Sequence, residues 1–216
     1  MLRTLLTATA CLALATSAQA QLVIAGGGLE ADTQDVWQAF IDQAKTDGAF
    51  VIVPSASGSP AQSAASVRKT LIRHGVDDAR ITVAPLAVRD DDTTPGVNEK
   101  KWKRNADDPD VASQLRGAAA IWFTGGDQSR TTGLLNPDGH ATPVLSALRT
   151  AHASGTPIGG TSAGAAIMSR TMIRQGDSLT ALTGSGEGEV LELGDGLGFL
   201  PHGLVDQHFG ERARLG

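Results

Sequence analysis

The feature that most constrains this chain is Gly160-Thr161-Ser162-Ala163-Gly164, a G-x-S-x-G element inside PIGGTSAGAAIMS, residues 157–169. A short apolar run precedes it, and small helix formers, Ala163 to Met168, follow it. Small flanking residues let a buried strand turn abruptly into a helix, which leaves the serine hydroxyl exposed at the carboxyl edge of a sheet. The helix N-terminus then lies beside Ser162, and its free N–H groups face a developing oxyanion. A tight Gly-rich turn whose serine only caps the helix would carry the same letters. The strand before, the helix after and the glycines between favour Ser162 as a nucleophile.

The remaining segments say what kind of sheet holds it. Leu22 to Ala25, Phe50 to Val53, Ala79 to Val88 and Ala118 to Phe123 read as strands, mostly apolar throughout. Between them run amphipathic helices. Val36, Phe40, Ile41 and Ala44 share one face of a helix capped by Thr33 and ended by Gly48. Ser59-Pro60 opens a second helix that Gly75 stops, Asp108-Pro109 a short third, and Thr142-Pro143 one closed by Gly155. Continuously apolar strands alternating with such helices predict a parallel sheet covered on both faces, an α/β fold of three layers. Ligands of such sheets sit at the carboxyl ends of the strands. Three Gly-rich loops fall there: Gly26 to Gly28, Gly125 to Gln128, and the Ser162 turn. The first is not G-x-G-x-x-G, so a dinucleotide site has little support.

Arg89 to Asp108 loses periodicity and carries Asp90-Asp91-Asp92 and Lys100-Lys101-Trp102-Lys103-Arg104, read as solvated loop. Gly184 to Gly198 reads as loops and short hairpin strands, and Leu204-Val205 as a strand leading into Asp206-Gln207-His208-Phe209.

Residues 1–20 have the form of a removable leader. Arg3 is followed by an apolar stretch and by Ala18-Gln19-Ala20, an A-x-A site that places the mature start at Gln21 and predicts export to the periplasm or beyond. The run is too short to span a membrane. Cys11, the one cysteine, lies within it, and a lipoprotein reading that modifies Cys11 ranks second. Without cysteines, an exported domain relies on its core rather than on disulfides. Removing the leader moves the net charge from −5 to −6, because Arg3 is its one charged residue. Neither nucleic acid nor an anionic membrane is an expected partner of such a surface.

A nucleophilic serine needs a base. Of five histidines, His74 and His152 sit near helix ends, where they serve the dipole, and His140 is in a loop. His202 and His208 follow the serine, and His208, at the end of a strand, is the better placed. The histidines are scattered and no metal-binding spacing appears, so neither metal nor cofactor is expected.

Taken together, WFTGGDQSR, GGTSAGAAIMS and VDQHFGERARLG, in that order along the chain, resemble the cyanophycinase family of serine peptidases, which is related to the aspartyl dipeptidases. The resemblance covers most of Leu22 to Gly216. It implies a flavodoxin-like domain of the class I glutamine amidotransferase type, with Ser162 as nucleophile and His208 as general base. It further implies an oxyanion hole from the N–H groups of Ala163 and of the Gly126 loop. Substrate would be held by Gln128, Asp206, Gln207, Arg212 and Arg214. The implied substrate is cyanophycin, polyaspartate with arginine on each β-carboxyl, cleaved to β-aspartyl-arginine. Its carboxylates suit arginines and its guanidinium suits Asp206. In that family the triad acid and further strands follow the histidine, so both are expected beyond Gly216. Alternatives are an aspartyl dipeptidase-like enzyme, a catalytically impaired binding module, and an esterase using Asp195 or Glu192, which lacks the expected oxyanion loop. A homodimer is left open.

Overall fold

In the computed structural model, which describes residues 21–176 and 190–210, the apolar segments pair as one parallel sheet. Its strands are β1 (Leu22–Ala25), β2 (Phe50–Val53), β3 (Ile81–Val83), β4 (Ala120–Phe123) and β5 (Ile158–Thr161), in the order β1-β5-β4-β2-β3. From β2 the chain winds outward to β3, then crosses back to β4 and β5 on the other side. β1 closes the far edge beside β5, with Ala25 opposite Thr161. Because all five strands are parallel, the loops after β1, β4 and β5 meet on one rim.

The alternation along β2 and β4 explains the layers. Phe50, Ile52, Ala120 and Trp122 face α1 (Gln34–Asp42) and α2 (Pro60–Arg73), where Trp37, Phe40, Ala64 and Leu71 pack. Val51, Val53, Ile121 and Phe123 face the other way, onto α3 (Pro109–Arg116) and α5 (Pro143–Ala153) through Val111, Leu115, Val144 and Leu148. Both faces are therefore covered, as continuously apolar strands require. In β5 the glycines serve packing. A Cβ at Gly159 would lie 2.4 Å from the Trp122 ring, which fills that space and stands 4.5 Å from the Trp37 ring. The helix starts follow their sequence signals. Pro60 opens α2, Asp108 accepts the Asp110 amide at 2.8 Å, and Thr142 Oγ1 accepts the Leu145 amide at 3.2 Å.

Several expectations need correction. The third strand is only Ile81–Val83, after a 3₁₀ turn at Asp78–Arg80. The first helix stops at Asp42, well before Gly48, and Thr33 makes no side-chain cap bond. An unforeseen helix, α4 (Gln128–Leu135), starts at Asp127, whose carboxylate accepts the Ser129 amide at 2.9 Å. The helix after Ser162, α6 (Ala163–Ala166), is a single turn. Thr171–Gln175 (β6) and Glu192–Asp195 (β7) form an antiparallel hairpin apart from the main sheet. Leu204 and Val205 lie in no strand, and Leu204 is exposed. The stretch from Arg89 to Asp108 is not wholly solvated, for Asp91 and Glu99 are buried and Glu99–Asp107 is 3₁₀ helix. Among the described residues no helix is long and apolar enough to cross a membrane.

Candidate active site

Ser162 stands at the rim between β5 and α6 with φ 54° and ψ −116°, the strained turn of a nucleophile elbow. Close backbone packing holds it there. A Cβ at Gly160 would lie 2.4 Å from the Gly164 carbonyl, and one at Gly164 would lie 2.4 Å from that of Phe123. The Ser162 amide donates to Ala25 at 2.9 Å, tying the elbow to β1.

His208 arrives from a segment without regular structure. Its Nε2 lies 2.8 Å from Ser162 Oγ. Three contacts place it. The His208 amide donates to Gly26 at 2.8 Å, and the Val205 amide donates to the buried Ser169 hydroxyl at 2.8 Å. The third is a vacancy of shape: a Cβ on Gly27 would sit 2.4–2.7 Å from three atoms of the imidazole. The Gly-rich loop after β1 thus makes room for the histidine ring. From the sequence, at least the Gly125 and Ser162 loops share one rim; the structure adds the Gly26 loop to them and gives it this use.

The other histidines lie elsewhere. His74 Nε2 is 2.8 Å from the Ala31 carbonyl, and His140 and His202 are exposed. His152 does not act as a cation on its helix. Burial pushes its pKa below the usual value, and its ring packs against Phe199, 5.6 Å away.

Behind the serine runs a chain of amides. Gln128 Nε2 donates to the Ile173 and Arg174 carbonyls at 2.9 and 2.8 Å. That fixes its Oε1 toward Gln207, whose Nε2 donates to it at 3.1 Å. Gln207 is then left with Oε1 toward Ser162, and the hydroxyl donates to it at 3.2 Å. The single Ser162 hydrogen therefore has two acceptors in reach, Gln207 Oε1 and His208 Nε2. Both glutamines are buried, at 6% and 2% exposure.

On the β4 side, Gly125 passes close to the serine, and a Cβ there would be 3.8 Å from Oγ. Gly126 has φ 139° and packs on the Ala56 carbonyl. The amides of Thr124 and Asp127 are committed to Val53 and Ala56. Ala163 follows Ser162 at the start of α6, and Gly126 follows Gly125 in the loop that passes the serine. Asp206 lines an open cleft of about 550 Å³ with Gly26, Gly27, His208 and Phe209. Arg212 and Arg214 lie outside the described residues, as does Glu211. Glu192 is held by Arg174 at 2.6 Å on the exposed hairpin. Among the described residues no cluster of His, Cys, Asp and Glu is arranged to hold a metal ion.

An elbow serine paired with a histidine is an arrangement for acyl transfer. The model of peptidase family S51 matches residues 97–215, more than half the chain and including both Ser162 and His208. The chain belongs to peptidase family S51. Relatives named cyanophycinase are similar along most of its length. The protein from Trichormus variabilis is 30% identical over 202 residues, covering 91% of this chain and 59% of its own. That from Geminocystis herdmanii is 32% identical over 196 residues, covering 90% and 63%. That from Synechococcus elongatus is 37% identical over 159 residues, covering 66% and 47%. This S51 chain spans about six tenths of the length of the first two. A crystal structure of a peptidase from an acI-B1 Actinobacterium superposes with a TM-score of 0.64 at 21% identity, covering 92% of this chain and 72% of that one. That likeness bears out the three-layer α/β fold.

Proposed function

We propose that this S51 chain carries the catalytic serine and histidine of an exported serine peptidase acting on cyanophycin. The observation that supports it most is the Ser162–His208 contact of 2.8 Å at a positive-φ elbow. In this reading Ser162 Oγ attacks the scissile carbonyl carbon while its proton passes to His208 Nε2. The carbonyl oxygen, now an anion, is held by the N–H groups of Ala163 and Gly126. Collapse of the tetrahedral species breaks the C–N bond, and the leaving amine takes the proton back from Nε2. Water then attacks the acyl-serine by the same route.

Gln128 and Gln207 spend their amides within the protein. They serve the reaction from behind, steering the Ser162 hydroxyl, while Asp206 in the open cleft meets a substrate guanidinium. Arg212 and Arg214 take carboxylates on the resemblance alone.

The test is hydrolysis of purified cyanophycin beside short aspartyl dipeptides. Release of β-aspartyl-arginine is expected, with a loss of several orders of magnitude in Ser162→Ala and an unchanged fold, since alanine occupies no more space. Activity in Ser162→Ala equal to the parent would refute the nucleophile. Preference for dipeptides over polymer would move the assignment to the dipeptidase branch. Secreted material whose sequence starts at Gln21 would support export, and an intact Met1 would not.

A further inference from the structure

The segment between β3 and α3 is built more firmly than a connection requires. Asp91 and Glu99 are 4% and 1% exposed. Asp91 accepts the Gln62 amide at 3.0 Å and the Thr93 amide and hydroxyl at 3.0 and 2.6 Å. Glu99 accepts the Thr94 hydroxyl, and the Asp91 amide at 3.3 Å, while its own amide donates to Asp90 at 2.9 Å. Buried carboxylates are tolerated because such bonds satisfy them, and the same bonds fix the backbone around them.

What the fixed backbone presents is positive charge. Arg89 and Lys100 line a cavity of about 460 Å³ together with Gly58, Val88, Asp90 and Arg130. Among the described residues no carboxylate lies within 4 Å of the Arg89 or Lys100 cationic group. Arg130 donates one N–H to the Ala56 carbonyl at 3.0 Å and faces Asp127 at 3.6 Å. Asp90, the acid in the lining, has Oδ1 engaged by the Glu99 amide. Unpaired cations gathered in one cavity of a chain whose net charge is −5 mark a place for an anion.

The position says which anion. The cavity lies past the carboxyl ends of β2 and β3, on the rim that carries Ser162. The Ala56 carbonyl that Arg130 holds is the one against which Gly126 packs, and Gly125 abuts Ser162. A chain lying across Ser162 and continuing over the Gly125–Gly126 loop runs toward Arg89 and Lys100. We infer that this cavity is a second substrate subsite, taking a carboxylate of an extended acidic peptide whose scissile bond lies at Ser162. The inference rests on the peptidase reading and extends it to residues away from the serine.

The experiment uses the Ser162→Ala protein and a fluorescein-labelled oligo-aspartate, read by anisotropy. Binding that weakens with salt is expected, and Arg89→Gln with Lys100→Gln should weaken it about tenfold, the effect of two exposed charges. Arg89→Lys with Lys100→Arg, which keeps both charges, should bind like the parent. No binding by the parent, or equal binding by parent and doubly neutralised protein, overturns the subsite. In the Ser162 form the same double neutralisation should raise KM for the carboxylate-rich polymer with kcat unchanged, and leave a short dipeptide unaffected. Equal loss on polymer and dipeptide also overturns it. If no form hydrolyses anything while the neutralised protein still binds less oligo-aspartate, the cavity holds carboxylates but the hydrolytic reading falls, and its part as a substrate subsite is overturned with it.

Discussion

Ser162 and His208 meet at 2.8 Å, yet the chain places them by different means. Both have positive φ, 54° and 55°. The serine reaches that conformation through neighbours in sequence, between β5 and the single turn of α6, where glycines let the backbone double back. The histidine, 46 positions later, reaches it from a segment with no strand or helix of its own. It is seated by Gly26, Gly27 and Ser169, residues distant in sequence. One partner is thus encoded locally and the other by tertiary fit. The histidine is accordingly the partner most open to damage from mutations remote in sequence.

Gly27→Val tests that difference hardest. A Cβ there overlaps the imidazole, and φ of 142° disfavours any side chain. Displacing the ring by about 1 Å should cost about 10²-fold or more in kcat/KM, measured beside melting on cyanophycin. Full activity would show that His208 is not held by shape. Gln207→Leu removes the second acceptor of the Ser162 hydroxyl, and about a tenfold fall in kcat with little change in KM is expected. A rise in KM alone would make Gln207 a substrate contact instead.

Ser169→Ala deprives the Val205 amide of its acceptor without touching the elbow. A loss of about 1–2 kcal/mol in stability should accompany a few-fold fall in kcat. If stability falls and kcat does not, the 204–208 segment is not what seats the histidine.

Asp91→Asn is the remote control. The Thr93 hydroxyl, with the amides of Gln62, Thr93 and Ala61, holds the Asp91 carboxyl below its ordinary pKa, against the effect of burial. A depressed carboxyl stabilises above its unfolded pKa and loses that contribution as pH falls through the folded one. The difference in Tm between parent and variant, about 2–4 °C at neutral pH, should therefore shrink below about pH 4, while kcat at neutral pH equals that of the parent.

The parts that were legible share a property. Pro60, Thr142 and the apolar runs of β2 and β4 act on their own few neighbours, so composition and period reveal them. Asp91 reads as solvated, yet is buried, because nothing in a run of charges announces the amides and hydroxyls that satisfy it. Leu204-Val205 differs for a similar reason: two apolar residues read as a strand, but the amide of Val205 bonds a serine side chain instead of a sheet. The helix at Gln128 went unseen because its start, Asp127, lies inside a loop already explained by its glycines.

The sequence by itself determined the layered α/β class, the five apolar strands and the elbow at Ser162. Each follows from the periodicity or the conformational freedom of consecutive residues. Tertiary structure decided that β1 lies beside β5, which carries Gly26 and Gly27 to the serine. It also decided which histidine fits there, and that Gln207 points its carbonyl oxygen at Ser162 because Gln128 is bound to β6. Those outcomes depend on how separate segments fit against one another, and a fit between surfaces leaves no periodic trace in either segment alone.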